Sequence, residues 1–276
     1  MKTKLILICD TKNEIDDQFA ITYALLSPEI ELLGVISTQN NRRNGENSCD
    51  IYHEEACKLM ELADSKVPTF RGATRAFNPN NPEKSNGTDF ILQSIQSQIP
   101  DSKFQIPITV ACTGPATDIA NLIALDTTIK DKISFIWLGG YKHKFMQRFH
   151  HNEVNFAGDP EAAKLILSSN IDLLRIPTLG TSHTLIIHSG KMQKKLRAKS
   201  QPLHDYLAEL IDWNKARIKK DRPTLSPFLN YWVLFDIAAV AMSKNLGIKK
   251  IGGKPKTIYS IDYKKILRDF EATVLK

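Results

Sequence analysis

Residues 4–26 of this chain, KLILICDTKNEIDDQFAITYALL, decide its fold. The apolar run Leu5–Cys9 ends abruptly at Asp10, a pattern typical of a strand that is buried on both faces of a sheet. The segment Gln18–Leu26 has the apolar spacing of a helix, and Pro28 stands just past its end. We therefore predict a strand, a polar loop and a helix.

Strand-like and helix-like segments alternate along the rest of the chain. Further strands are predicted at Leu32–Ile36, Val67–Phe70, Ile106–Cys112, Ile133–Leu138 and Leu173–Ile176, and a final strand pair at Lys256–Ile261 and Phe270–Leu275. Further helices are predicted at His53–Ala63, Phe90–Ile99, Ala116–Ala124, Pro160–Leu167, Leu203–Arg217 and Val233–Met242. This order predicts an α/β fold with an open, mostly parallel sheet, helices on both faces and a C-terminal strand pair. No linker or repeat divides the sequence, so we expect residues 1–276 to form a single domain.

Composition and charge exclude several classes of protein. Of the 276 residues, 42% are hydrophobic and 24% are charged, close to the average of soluble globular proteins. The net charge of +7 is dispersed without a long basic block, which argues against a nucleic-acid partner. The run Leu5–Cys9 is too short for a signal-peptide core, and no stretch approaches the roughly 20 apolar residues that cross a bilayer. We expect a cytoplasmic protein with no membrane partner.

Three carboxylates lie where the first strand leads into the first helix. Asp10 ends the strand, and Asp16 and Asp17 open the helix. In α/β folds ligands bind beyond the carboxyl ends of the strands. Carboxylates at a helix start can be ordinary caps. Three of them crowded together repel one another unless they are protonated or bound to a cation, and their oxygens suit calcium or magnesium.

A fourth carboxylate lies far away in the sequence. Asp236 is the only charged residue in the run Trp232–Ala241. Burying an unpaired carboxylate costs several kcal/mol, so Asp236 needs a partner. That partner can be a backbone cap or an arginine, but a cation shared with Asp10 and Asp17 explains more with one assumption.

Two further motifs follow predicted strands or open predicted helices. Residues 111–118, ACTGPATD, run from a strand end through a Gly-Pro turn into a helix, where Thr113 can offer its carbonyl to a cation. Residues 151–163, HNEVNFAGDPEAA, contain Glu153 and Asn155, which point the same way if the segment is extended and suit a polyhydroxylated ligand. Taken alone, the motif at residues 111–118 is also compatible with a capped turn that has no catalytic or binding role.

Taken in their order along the chain, the four segments at residues 10–17, 111–118, 151–163 and 232–241 resemble the nucleoside hydrolase family, the inosine-uridine preferring N-ribohydrolases. The resemblance extends from Lys4 to about Met242. It implies a Rossmann-like core, a calcium cofactor and hydrolysis of the N-glycosidic bond of ribonucleosides, which releases ribose and a nucleobase for purine or pyrimidine salvage. The expected partner is a small-molecule ribonucleoside, and we expect a homodimer or homotetramer.

The resemblance also assigns site residues. The calcium ligands it implies are Asp10, Asp17, the carbonyl of Thr113, and Asp236. The residues it implies for the ribose hydroxyls are Asp16, Glu153, Asn155 and Asn41, with Asn40 a close competitor for the last place. Asp10 would also be the general base for the attacking water.

The chain departs from the family in two places. The loop Asp10–Asp17 is two residues longer than the usual Asp-Pro-Gly turn, and an ungapped alignment would put Lys12 in place of a calcium ligand. We prefer the gapped alignment because it keeps the strand register. Phe235 stands where well-studied members carry a His that protonates the leaving base, and we expect its ring to stack on the base instead. The histidines that could supply the proton are His150, His151 and His183.

Three alternatives belong to other functional classes. A phosphatase of the haloacid-dehalogenase type would need Asp-x-Asp after the first strand, and the segment Asp10–Lys12 lacks the second Asp. A nucleic-acid binder would show a steep salt dependence of binding. The stronger alternative is a catalytically silent ribonucleoside-binding protein of the same fold, because an altered first loop and Phe235 are changes that such a protein would show.

Overall fold

The computed structural model describes residues 1–97, 107–142, 153–221 and 229–276. The strands are β1 Thr3–Cys9, β2 Ile30–Ser37, β3 Thr69–Arg71, β4 Ile108–Cys112, β5 Ile133–Leu138, β6 Leu173–Ile176, β7 Ile186–His188, β8 Tyr231–Val233, β9 Ile248–Gly252 and β10 Lys256–Ile261. The helices are α1 Asp16–Leu26, α2 Asn41–Asn44, α3 Ser48–Leu62, α4 Asn86–Gln96, α5 Thr117–Leu125, α6 Val154–Gly158, α7 Pro160–Ser168, α8 Ser189–Arg197, α9 Pro202–Asp221, α10 Ile237–Ser243 and α11 Tyr263–Val274. None of these helices is both long and apolar enough to cross a membrane.

In this part of the chain eight strands form one sheet in the order β3-β2-β1-β4-β5-β6-β10-β9. Every neighbouring pair is parallel except β9 and β10. In β1, Leu5 and Leu7 pack with α1, α9 and α10 on one face, whereas Ile6 and Ile8 pack with α5 and α7 on the other. Both faces are covered, which is why the strand is apolar and buried from Leu5 to Cys9.

The strand order places the site. The chain leaves β1 towards β2 and β3 and then returns to β4 on the other side of β1. At such a switch point the loops diverge and leave a crevice beyond the carboxyl ends of the two strands. Asp10 follows β1 and Thr113 follows β4, so both lie at this crevice.

The predicted fold class is confirmed, including the C-terminal strand pair, but one member of that pair was wrong. Lys256–Ile261 pairs antiparallel with Ile248–Gly252, whereas Phe270–Leu275 lies largely in α11. The buried residues Ile266, Phe270 and Val274 are four apart, which is helical and not strand spacing. The predicted boundaries at Ile99 and Ile106 lie outside the described residues.

Candidate functional site

A cavity of about 400 Å³ opens at the switch point. Its size is within the usual range for small-molecule sites. The candidate site residues that line it are Asp10, Asp16, Asp17, Thr113, Glu153, Asn155, Phe235 and Asp236. Asn41 is not among the lining residues. Segments that are distant in sequence therefore meet in one cavity.

The long first loop is folded so that Asp10, and not Lys12, lines the cavity. Oδ2 of Asp10 accepts hydrogen bonds from the side-chain amides of Asn13, at 3.1 Å, and Asn40, at 2.6 Å. Lys12 has a positive φ of 67°, and its Nζ lies 3.3 Å from Oε2 of Glu55. This arrangement agrees with the gapped alignment, in which Asp10 keeps its place at the end of β1.

Buried carboxylates form the floor of the cavity. One oxygen each of Asp16, Asp17 and Asp236 lie within 4.8 Å of one another, and Asp17 also interacts with Asp10. Burial raises the pKa of Asp17 to about 6. Burial, followed by the charge of Asp17, raises the pKa of Asp10 well above its usual value, and burial with the charge of Asp16 does the same for Asp236. Carboxylates in this state need protons or a cation.

The donor set fits a hard divalent cation. All four aspartates are at least 95% buried, and the ion pairs among the described residues include none of them. The cluster contains oxygen ligands only, without the cysteine or histidine that zinc prefers. A cation here would supply the positive charge that no described residue places in an ion pair with these aspartates.

The loop after β4 joins this floor. The hydroxyl of Thr113 donates to Oδ1 of Asp17 at 2.6 Å, and its carbonyl accepts from Nδ2 of Asn155 at 2.6 Å. A Cβ atom on Gly114 would lie only 3.2 Å from Cβ of Asp10. The glycine therefore lets the turn approach Asp10 closely.

Glu153 and Asn155 line one wall, and the segment is helical from Val154, so the condition of an extended segment is not met at Asn155. Glu153 is the N-cap of α6, and its carboxylate accepts hydrogen bonds from the backbone N–H groups of Asn155 and Phe156. The carboxylate also accepts from N–H of Gly140, at 2.7 Å, and from the hydroxyl of Thr178, at 3.1 Å. These donors favour a helix that begins directly after Glu153, whose own backbone is extended.

The two asparagines after β2 have different places. Asn40 is buried and donates to Asp10, whereas Nδ2 of Asn41 donates to the carbonyl of Thr74 and its Oδ1 accepts from Ser48. The structure thus brings Asn40 into contact with the aspartates and turns Asn41 to a neighbouring loop.

An aromatic wall stands at another side of the cavity. It consists of Tyr231, Trp232 and Phe235, of which the first two belong to β8. The helix predicted at Val233–Met242 begins only at Ile237, and no element was predicted at Tyr231 or Trp232, so β8 was missed. The adjacent Tyr-Trp pair before Phe235 was the signal that could have revealed it. Of the candidate proton donors, His183 does not line this cavity, and His150 and His151 lie outside the described residues.

Comparisons with known proteins agree with this geometry. The family model described as inosine-uridine preferring nucleoside hydrolase matches residues 5–267. The pyrimidine-specific ribonucleoside hydrolase RihA of Salmonella arizonae is 24% identical, over 95% of this chain and 89% of the relative. Among solved structures, an inosine-guanosine nucleoside hydrolase has a TM-score of 0.78 at 16% identity and 99% coverage of both chains. A plant nucleoside hydrolase has a TM-score of 0.75 at 18% identity, with 100% and 99% coverage. The chain therefore belongs to the inosine-uridine preferring nucleoside hydrolase family of N-ribosyl hydrolases.

Proposed function

We propose that this chain hydrolyses the N-glycosidic bond of a ribonucleoside with the help of a calcium ion. The observation that carries the proposal is the group of buried, unpaired carboxylates on the floor of a cavity with an aromatic wall. The residues proposed to hold calcium are Asp10, Asp17, Asp236 and the carbonyl of Thr113. Calcium takes 6–8 oxygen ligands, so four protein groups leave places for sugar hydroxyls and a water. When bound, the ion would lower the pKa of that water and orient the sugar.

Asp10 is the proposed general base. Asn13 and Asn40 both donate to its Oδ2, which fixes the orientation of the carboxylate that would accept the proton of the attacking water. As the base departs, positive charge develops on the ribose ring, and the surrounding carboxylates stabilise it electrostatically.

The other polar residues would hold the ribose. Asp16, Glu153 and Asn155 are proposed to bind its hydroxyls, and Asn41 or Asn40 a further one. Nδ2 of Asn155 is already used by the carbonyls of Thr113 and Leu138, so its Oδ1 is the atom available to a hydroxyl.

The aromatic wall would hold the nucleobase. Tyr231, Trp232 and Phe235 offer ring faces, and stacking tolerates purines and pyrimidines because each base has a π face. The similar proteins are named for pyrimidine, inosine and guanosine nucleosides. The proposed substrates are therefore ribonucleosides with either a purine or a pyrimidine base.

The proposal takes residues 1–276 as a single domain, which the single family match across residues 5–267 supports. The chain is proposed to form a homodimer or homotetramer in the cytoplasm and to act in nucleoside salvage. No nucleic-acid or membrane partner is proposed. The dispersed positive charge of the sequence supports the absence of a nucleic-acid partner.

Two measurements on the purified chain test the function. Elemental analysis after purification without chelator should find about one calcium per chain, and released ribose should be detected from inosine or uridine by a reducing-sugar assay. Asp10→Asn should abolish turnover while ribonucleoside binding is largely kept, because an amide still coordinates but cannot accept the water proton.

Asp16→Asn is the matched control, since it should lower kcat/KM and leave the calcium content unchanged. Loss of calcium in that variant would make Asp16 a metal ligand instead. Ribonucleoside binding by wild-type protein without any ribose release would identify the chain as a silent binder and overturn the proposal.

A further inference from the structure

A second cavity of about 730 Å³ lies beside the sheet where β6 and β10 pair, and it shares no lining residue with the first. The basic residues that line it are Lys142, Lys164, Arg175 and Lys254. No aspartate or glutamate is among its lining residues in the described part of the chain. A cavity of this size that is lined by positive charges without negative ones attracts an anion.

Arg175 is the residue that carries the argument. Its Nη2 donates to the carbonyl of Tyr141 at 3.3 Å, whereas its buried Nε has no hydrogen-bond partner. Among the described residues no carboxylate lies within 4.0 Å of this guanidinium, and burial lowers its pKa. A half-buried charge without a counter-ion is costly, so an anion bound next to Arg175 would be favourable.

The neighbouring lysines are also available. Lys142 and Lys254 take part in no ion pair among the described residues, whereas Lys164 lies 2.6 Å from Glu161. The segment 143–152, which follows Lys142 in sequence, contains no aspartate or glutamate that could neutralise the cavity. A second copy of the chain docked here about a two-fold axis would place these cations against their own equivalents, which disfavours self-association.

Two rings complete the cavity. Phe156 and Tyr259 are half-buried and line it beside Arg175. A Cβ atom on Gly140 would lie 3.9 Å from both Nη1 of Arg175 and the ring of Phe156, so the guanidinium and the ring both border Gly140. Fixed cations next to aromatic faces suit a ligand that joins phosphate groups to a planar ring.

We propose that this second cavity binds a phosphorylated small molecule of nucleotide size. Its phosphates contact Arg175, Lys142 and Lys254, and its ring lies against Phe156 or Tyr259. The site is separate from the catalytic cavity and does not depend on the proposed hydrolysis.

The test is calorimetric titration of the whole chain with ATP in a buffer of low ionic strength without divalent cations. Arg175→Gln and Lys254→Gln should each weaken ATP binding by about tenfold or more, and added salt should weaken it in the wild type. Adenosine at the same concentrations should not displace ATP.

Two controls remove equal charge elsewhere. Lys66→Gln changes an exposed lysine outside both cavities, and Arg43→Gln changes the arginine of the catalytic cavity. Both should bind ATP as the wild type does. Loss of binding in Arg43→Gln with retention in Arg175→Gln would place the anion in the catalytic cavity and overturn the proposal, as would absence of ATP binding.

A thermal melt separates binding from folding. Because Arg175 has no counter-ion among the described residues, Arg175→Gln should melt no lower than the wild type without ligand. ATP should raise the Tm of the wild type and of the two control variants more than the Tm of Arg175→Gln or Lys254→Gln. A Tm rise of equal size in Arg175→Gln and Lys254→Gln would show that ATP binds elsewhere.

Discussion

Nζ of Lys12 lies 3.3 Å from Oε2 of Glu55, and Lys12 is thereby kept out of the cavity that Asp10 lines. Glu55 is buried, and it also accepts hydrogen bonds from Gln18 and from the hydroxyl of Tyr206. The backbone of Lys12 is in the left-handed region, with a φ of 67°, which costs about 1 kcal/mol for a non-glycine residue. The ion pair offsets this strain and holds the longer first loop in place.

This pair predicts that Glu55→Gln lowers kcat/KM by about tenfold, because a released Lys12 ammonium can then approach the acidic floor of the cavity. Tyr206 can still donate to the new amide oxygen, so the core should survive. Adding Lys12→Gly removes the ammonium and relieves the backbone strain, and it should restore activity. If Glu55→Gln alone releases ribose as fast as the wild type, the ion pair with Glu55 is not what keeps Lys12 away from the carboxylates.

The contact of Asn40 with Asp10 predicts unequal effects of the two asparagines. Asn40→Ala should lower kcat/KM by roughly 10- to 100-fold, because it removes a hydrogen bond to a carboxylate worth about 1.5–3 kcal/mol. Asn41→Ala should have a smaller effect, since its side chain binds Thr74 and Ser48. The reverse order in steady-state assays would instead assign the ribose contact to Asn41, as the family resemblance implies.

The hydrogen bonds of Glu153 predict a combined loss of activity and stability. In Glu153→Gln the new NH₂ group must face N–H donors that now bind the carboxylate, so the start of α6 should be weakened by about 1–3 kcal/mol. Asn155→Ala should lower kcat/KM without comparable unfolding. Chemical denaturation beside the activity assay checks both variants, and full activity in both would refute their assignment to the ribose.

The replacement of the usual histidine by Phe235 predicts a dependence on the leaving group. Phe235 cannot donate a proton, so p-nitrophenyl riboside should be cleaved much faster than inosine or uridine, whose departure benefits from acid catalysis. If His150, His151 or His183 supplies a proton, its change to alanine should reduce inosine cleavage and spare p-nitrophenyl riboside. Equal rates on all substrates, unchanged in the three variants, would contradict this prediction.

Asp118 predicts how stability varies with pH. Burial raises its pKa to about 6, its Oδ1 accepts from N–H of Ala73, and its Oδ2 has no hydrogen-bond partner in the described part of the chain. The unfolded carboxyl has a pKa of about 3.9, so the native state binds the proton more tightly. The free energy of unfolding therefore decreases as the pH rises from about 4 to about 6. The total decline from this group is on the order of 3 kcal/mol.

Asp118→Asn can still accept from Ala73 and has no proton to lose. Urea unfolding at several pH values should therefore show a shallower decline in the variant than in the wild type, since the other buried carboxylates are common to both. Identical slopes in the two proteins would mean that Asp118 is ionised in the folded state throughout this range.

Much of the fold and several site residues were predictable because their signals are local. The run Leu5–Cys9 indicates a doubly buried strand, and a polar residue directly after such a strand lies at the carboxyl edge of the sheet. Asp10 and Thr113 are found at this edge, and both line the cavity. The helix α11 was also encoded locally, by Ile266, Phe270 and Val274, but its apolar C-terminal residues were interpreted as a strand.

The sequence by itself determined the alternation of strands and helices and the positions of the acidic motifs, because hydrophobic periodicity and turn residues act over a few neighbours. Only the tertiary structure decided which of Asn40 and Asn41 contacts Asp10, since consecutive side chains at a helix start leave the backbone in different directions. It also decided that Tyr231 and Trp232 form a wall of the cavity that Asp10 lines, and that Arg175 is half-buried without a counter-ion among the described residues. These relationships join residues that are far apart in the chain, and their energies depend on burial, which exists only after the sheet and its helices have packed.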